Sequence, residues 1–304
     1  FLANMSHELR TPLNSLLILS KLLSENKDKN LTEKQLEFAN TIHGSGADLL
    51  TLINDILDLS KVEAGKLELN IQEVSLNDLA FSIDSNFKHV AMDKGISLKV
   101  ESDKNLSDSI KNDAMRLEQV IRNLLSNAFK FTSKGGVTVK FHSVDSSVVF
   151  LQQDLKHQES IGISVIDTGV GISKDKQDSI FEAFQQEDGS TSRKYGGTGL
   201  GLSISREFLK LMGGEIHLDS QLGKGSTFTI YIPKEIIAKD GTEKTSIPTP
   251  AQTSSSKKES VSANENQNHA SKVEGSDHLI LIVEDDPKFA KILMELAQEN
   301  GFKV

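Results

Sequence analysis

The first sixty or so residues carry two long helical patterns separated by a polar break, Glu25-Asn26-Lys27-Asp28-Lys29-Asn30. On the first, Leu2, Met5, Leu9, Leu13, Leu16 and Leu23 fall within about 40° of one line at about 100° per residue. On the second, Ile42, Leu49 and Ile56 recur at a heptad spacing with Ile53 beside them, the seam of a bundle. The patterns predict a helical hairpin over residues 1–66, with Pro12 removing one backbone hydrogen bond and bending the first helix. A lone hairpin buries little of such a surface. Two hairpins are therefore expected to pair as a four-helix bundle, the alternative being that the stripe packs on the next domain.

From 67 to 237 the periodicity becomes mixed, as in an α+β domain. Val137 to His142, Ile161 to Asp167, Glu215 to Asp219 and Ser226 to Ile232 read as strands, and Ala114 to Phe131 and Leu200 to Met212 as helices. A polar stretch from Ser143 to Ser160, interrupted by Val148 to Leu151, reads as a hairpin or extended loop. Over 238–277 apolar residues almost vanish, which predicts a flexible linker that cannot bury enough surface to offset chain entropy. Leu279 to Val283 then predict a buried strand, followed by a helix ending at Gly301. One βα unit cannot fold alone, so residues 278–304 are expected to open a domain that is cut off. The chain starts inside an amphipathic pattern at Phe1, without an initiator Met, which predicts a fragment, so that any sensor or membrane anchor would lie upstream.

Composition narrows the function. The 304 residues allow two or three domains. The net charge is -9 and the pI about 5.4, with Lys and Arg scattered, which argues against nucleic acid as a partner. Absence of cysteine excludes a disulfide scaffold, thiol catalysis and a Cys-ligated zinc, and fits a cytoplasmic setting. No apolar run approaches the ~20 residues that cross a bilayer, so no membrane segment is expected in this stretch.

The candidate chemistry falls in five places. His7 lies about 160° from the centre of the first apolar stripe, which puts it on the solvent face with Thr11 and Asn14, and Glu8 follows it. Imidazole titrates near pH ~6.5, so at neutral pH most of it has a lone pair free to attack. Arg116, Asn123, Asn127 and Lys130 form a polar stripe beside the buried Leu117, Ile121, Leu124 and Ala128; asparagine is disfavoured in mid-helix, which suggests that it faces a ligand. Asp167 ends a strand, where a carboxylate can accept from an exocyclic amine, and Gly169 and Gly171 allow positive φ and close approach to a ring. Gly197-Thr198-Gly199-Leu200-Gly201 opens a helix whose bare N–H groups can hold phosphates, without the spacing of a Rossmann site or a P-loop. Between the Asp167 motif and the glycine loop, the polar segment from Gln185 to Tyr195, with Arg193 and Lys194, has a lid's composition hinged at Gly189 and Gly196.

In this order the motifs resemble those of the sensor histidine kinases. Ser6 to Asn14 resembles their phosphoacceptor motif, Asn123 to Phe131 their asparagine box, Phe181-Glu182-Ala183-Phe184 their phenylalanine box and Gln185 to Tyr195 their ATP lid. The resemblance implies that His7 is phosphorylated by ATP, that Glu8 draws the imidazole proton, and that Thr11 positions water in the reverse phosphatase reaction. It further implies that Asn127 coordinates Mg²⁺, Asn123 lines the pocket, Lys130 meets phosphate oxygen, and Asp167 takes the adenine amino group. Arg193 or Lys194 would neutralise charge on the transferred phosphate.

Ile280 to Pro287 resembles the start of a response-regulator receiver, with Glu284 and Asp285 as its acidic Mg²⁺ pair. The implied whole is a hybrid-type kinase fragment, multi-domain α and α+β. It comprises a helical hairpin forming a four-helix bundle as a homodimer, an α/β sandwich ATP-binding domain of Bergerat type, and an incomplete doubly wound α/β receiver. Its cofactors would be ATP and Mg²⁺, and its partner a response-regulator receiver. The alternatives are a non-catalytic nucleotide-binding scaffold and an ATP-hydrolysing switch of the same superfamily.

Overall fold

The computed structural model describes residues 2–104, 106–184, 199–236, 279–284 and 287–304, with side chains from residue 8 in the first helix and residue 289 in the last. Two helices lead, α1 (Leu2–Glu25) and α2 (Glu33–Glu63). Helix α1 runs unbroken through Pro12. A capping box starts α2: the Gln35 N–H donates to Thr32 Oγ1 (3.3 Å) and the Thr32 N–H to Gln35 Oε1 (2.8 Å). The two helices pack antiparallel, with Arg10 Nη2 donating to Asn54 Oδ1 (3.1 Å). Gly46 permits the close approach, since a Cβ there would lie 3.0 Å from the Leu17 side chain. Leu13, Ala39 and Leu57 are buried in the hairpin, but Leu9, Leu16, Leu23, Ile42, Leu49 and Ile56 remain 39–52% exposed.

The α/β part begins with β1 (Gln72–Ser75), α3 (Leu76–Lys94), β2 (Ser97–Ser102), β3 (Ser109–Asn112) and α4 (Ala114–Phe131). It continues with β4 (Gly136–Ser143), β5 (Ser160–Asp167), α5 (Gly201–Leu211), β6 (Glu215–Gln221) and β7 (Gly225–Pro233). Strands β1 and β3 pair antiparallel apart from the main sheet, whose order is β2-β4-β5-β7-β6 with only β2 and β4 parallel. Alternation puts Val137, Val139 and Phe141 of β4, Ile161, Ile163 and Val165 of β5, and Phe228, Ile230 and Ile232 of β7 into the core against the helices. Helix α4 supplies Leu117, Val120, Ile121, Leu124, Leu125, Ala128 and Phe129 to the same core.

The other face of the sheet is polar, with the Ser164 and Thr229 hydroxyls 2.9 Å apart. Residues 144–159 form no strand hairpin. They turn back over this face, where Phe150 packs on Tyr231 (5.4 Å between ring centroids) and the Glu215 carboxylate accepts from the N–H groups of Leu151 and Gln152 (3.0 Å each).

A second compact unit spans 240–304. Its helix α6 (Pro287–Glu299) forms as expected. The strand expected over Leu279 to Val283 does not: Leu279 makes an isolated bridge to Lys303, and Leu281 and Val283 stand exposed. An apolar run becomes a buried strand only where neighbouring strands cover it, and Lys303 is the one bridge partner among the described residues. The linker expected over 238–277 lies outside the described residues, as do Arg193, Lys194, Gly197, Thr198 and Asp285.

Candidate functional site: a helix bracketed by two glycines

Helix α4 is the site's spine. Asp113 caps it: one carboxylate oxygen accepts from the Arg116 N–H (3.1 Å) and the other from the Asn70 N–H (2.9 Å), which ties the segment after the hairpin to the α/β core. The polar stripe of α4 divides into two halves. At its N-terminal end, Arg116 Nη1 pairs with Asp58 Oδ2 of α2 (2.8 Å), bonds Gln119 Oε1 (2.9 Å) and lies over the Phe208 ring of α5 (4.7 Å). Gln119 Nε2 also donates to Asp58 (3.3 Å). This half docks the hairpin, and Leu59 and Val62 of α2 pack against the same core beside it.

The C-terminal half runs between two close glycine contacts. Asn123 touches the start of α5, where a Cβ on Gly201 would lie 2.3 Å from Asn123 Oδ1. Two turns on, Gly169 touches the end of α4, where a Cβ would lie 2.5 Å from the Phe131 carbonyl oxygen. Asn127, half-buried, sits one turn along α4 from each contact. Lys130 is half-buried over the Phe131 ring (5.0 Å), and burial lowers its ammonium pKa from the ordinary 10.5. On the opposite side of α4, the cavity against α3, lined by Leu79, Ile83, Phe87 and Leu125 among others, holds only about 20 Å³, far too little for a nucleotide.

Asp167 ends β5 and is 7% exposed. Burial raises its carboxyl pKa above the ordinary 3.8, and hydrogen bonds from the backbone N–H groups of Gly169 and Ser226 pull it partly back. The two glycines after it act differently. Gly171 does adopt positive φ (+68°) and passes against the Gln221 carbonyl. Gly169 does not adopt positive φ; it is required because the Phe131 carbonyl approaches too closely for a side chain. Thr168, unremarkable in the sequence, receives the Gly136 N–H (3.0 Å) and donates to the Lys134 carbonyl (3.2 Å), fixing the loop to the start of β4.

Gly199 has φ +69° and its carbonyl accepts the Phe184 N–H (3.1 Å), so the chain on either side of the expected lid is joined at its base. Phe181 is a buried core anchor against Phe228 (6.4 Å), whereas Phe184 is exposed at φ +65°. Leu200 is fully buried, and no side chain caps the N-terminus of α5, which leaves that end to backbone chemistry.

On α1, Glu8 and Thr11 are exposed; the His7 side chain is outside the described ones, although its backbone is helical. The antiparallel pairing of Arg10 with Asn54 puts His7 and Asp58 at nearly the same height along the hairpin. Helix α4 therefore meets α2 level with the histidine. Glu284 is half-buried in the second unit. Among the described residues no cluster of three His, Asp or Glu side chains could hold a metal ion. Mg²⁺ keeps several waters and binds through few protein oxygens plus phosphates, and the half-buried Asn127 carries an amide oxygen, a donor of the kind such an ion takes. No described helix is long and apolar enough to cross a membrane.

Comparison with known proteins gives the family. Residues 1–65 match the family model of the His Kinase A (phospho-acceptor) domain, and residues 112–236 that of the histidine kinase-, DNA gyrase B- and HSP90-like ATPase. The chain is 36% identical over 250 residues to the autoinducer 2 sensor kinase/phosphatase LuxQ of Vibrio cholerae, covering 82% of this chain and 28% of that protein. It is 37% identical to the circadian input-output histidine kinase CikA of Synechococcus elongatus, covering 100% of this chain and 36% of that protein. It is 40% identical over 232 residues to the signal transduction histidine-protein kinase BarA of Escherichia coli, covering 76% and 24%. The chain thus spans little more than a third, at most, of these relatives. The crystal structure of full-length ShkA in complex with AMPPNP superposes with a TM-score of 0.62 at 34% identity, covering 76% of this chain and 45% of that one. With phosphoacceptor and ATPase models matching in series over more than half its length, the chain belongs to the histidine kinases.

Proposed function

We propose that this chain transfers the γ-phosphoryl group of Mg-ATP to His7 and passes it on to an aspartate of a response-regulator receiver. The observation that supports the reading is the bracketing of half-buried Asn127, one turn along α4 from the Gly201 contact at Asn123 and one turn from the Gly169 contact at Phe131, which favours a nucleotide cleft between the glycine loop and Asp167. In that cleft Asp167 accepts from the adenine amine, and the N-terminus of α5 holds phosphate. Asn127 holds Mg²⁺, which on binding neutralises phosphate charge, and Lys130 adds a cation beside it. An imidazole nitrogen of His7 attacks the γ-phosphorus, the bond to the β,γ-bridging oxygen breaks, and ADP leaves. Glu8 takes the proton from the ring, and Thr11 orients water in the reverse hydrolysis.

The proposed layout is a dimerisation and phosphotransfer hairpin at 1–66, a catalytic domain at 67–237, a linker at 238–277 and the opening of a receiver at 278–304, with Glu284 and Asp285 as its acidic pair. Arg193 and Lys194 belong to the lid, and Gly197 and Thr198 to the phosphate loop. Two copies pair through the hairpin, whose apolar stripe is open in a single chain. A cytoplasmic setting suits this ATP-dependent chemistry. The test is His7→Gln: nucleotide binding should persist while acid-labile, alkali-stable labelling from γ-labelled ATP disappears. Persistence of that label would overturn the assignment.

A further inference from the structure

Asn123 is not simply a wall of the pocket, because its amide is already engaged. Its Nδ2 donates to Ser205 Oγ on α5 at 2.8 Å, and Ser205 is 2% exposed. The same amide lies flat over Gly201, the first residue of α5: a Cβ there would be 2.3 Å from Oδ1, 2.7 Å from Nδ2 and 2.8 Å from Cγ. One hydroxyl therefore fixes the amide, and the amide fixes the start of α5 against α4.

We propose that Ser205 is a positioning residue for nucleotide, acting through Asn123 to set the spacing between the N-terminus of α5 and the Asn127 face of α4. Nothing in the sequence motif singles out Ser205, which sits one turn beyond Gly201 on the same face of α5, towards α4. The two helices also meet through apolar packing and the Arg116 guanidinium over the Phe208 ring, contacts that resist separation but tolerate sliding. A buried directional bond between them removes that freedom, and its acceptor would be missed more by a ligand spanning the two helices than by the fold. The proposal rests on the reading of Asn127 and the glycine loop as the ATP site.

The experiment compares the parent chain with Ser205→Ala, Ser205→Cys, Asn123→Ala and the Asn123→Ala/Ser205→Ala pair. ATP affinity is measured by equilibrium titration, and KM and kcat by His7 labelling. Ser205→Ala should raise KM for ATP and weaken ATP binding about five- to tenfold, the worth of one buried hydrogen bond. Rate at saturating ATP should change far less. Cysteine, of similar volume and weaker as an acceptor, should fall between the two. The double variant should bind ATP no worse than Asn123→Ala alone, since both remove one bridge. Unchanged affinity in Ser205→Ala, or additive losses in the pair, would overturn the proposal; if the alanine variant does not fold, the cysteine variant decides by the same criterion. Asn127→Asp separates the two levels. If the parent binds ATP and Asn127→Asp does not, the site reading stands whatever Ser205 does, whereas a parent that binds no ATP removes the site reading itself.

Discussion

Among single residues, Asp167 makes the sharpest statement about chemistry, because the fold holds a carboxylate where ionisation is costly. Burial raises its pKa in the folded chain, so the folded state takes up its proton at a higher pH than the unfolded chain does. The stability tied to that proton is fully present below the unfolded pKa and is lost as pH rises through the raised folded value. Relative to Asp167→Asn, the parent should therefore gain thermal stability as pH falls from neutrality into the range just above 3.8. Melting both proteins across that range checks this, and a constant difference between them would contradict it. Over the same window ATP binding by the parent should weaken, since a protonated carboxyl is a poorer acceptor for the adenine amine. Sequence alone placed Asp167 correctly at a strand end. It gave Gly169 the wrong reason: the motif suggested positive φ, but the constraint comes from the Phe131 carbonyl, a residue 38 positions away that periodicity cannot bring near.

At the level of elements, α4 was legible from end to end because its apolar and polar faces are cleanly separated and Asp113 marks its start. Helix α3 was not delimited, since Phe81 and Met92 put large apolar side chains on its exposed side and blur the period. The four-residue strands β1 and β3 are too short for alternation to register. The division of labour along the α4 stripe was also invisible, because it depends on which neighbour each side chain meets. Arg116 illustrates it: the pairing with Asp58 is mostly sheltered, at 19% and 14% side-chain exposure, and the guanidinium also covers Phe208. Arg116→Ala would strip Asp58 of its cation and open that ring. It should cost about 1–3 kcal/mol. The loss should localise: hydrogen exchange should speed up in the last turns of α2, around Leu57 to Val62, and change little near Leu17 and His43, where α1 and α2 hold each other independently. Uniform acceleration along the hairpin would mean that Arg116 supports the whole fold and not a local dock.

At the level of the whole molecule, the open face of the hairpin decides whether one chain is a working unit. Leu9, Leu16 and Leu23 of α1 and Ile42, Leu49 and Ile56 of α2 stay substantially exposed, although their spacing is that of a buried seam. Docking of the α/β part does not cover them. It engages the end of α2 through Leu52, Asp58, Leu59 and Val62, which leaves the alternative of packing on the second domain without support in this arrangement. A second hairpin can cover the stripe, and aspartates placed there would be buried unpaired in the dimer yet remain in water on the monomer. Ile42→Asp combined with Leu49→Asp should therefore leave the chain folded and able to bind ATP through α4 and α5, but monomeric by sedimentation equilibrium at concentrations where the parent is dimeric. If labelling of His7 passes from one copy to the other, the monomer should lose it; if each copy serves its own histidine, the monomer should keep it. A parent that sediments as a monomer under all conditions would remove the dimer from the account and leave the seam unexplained.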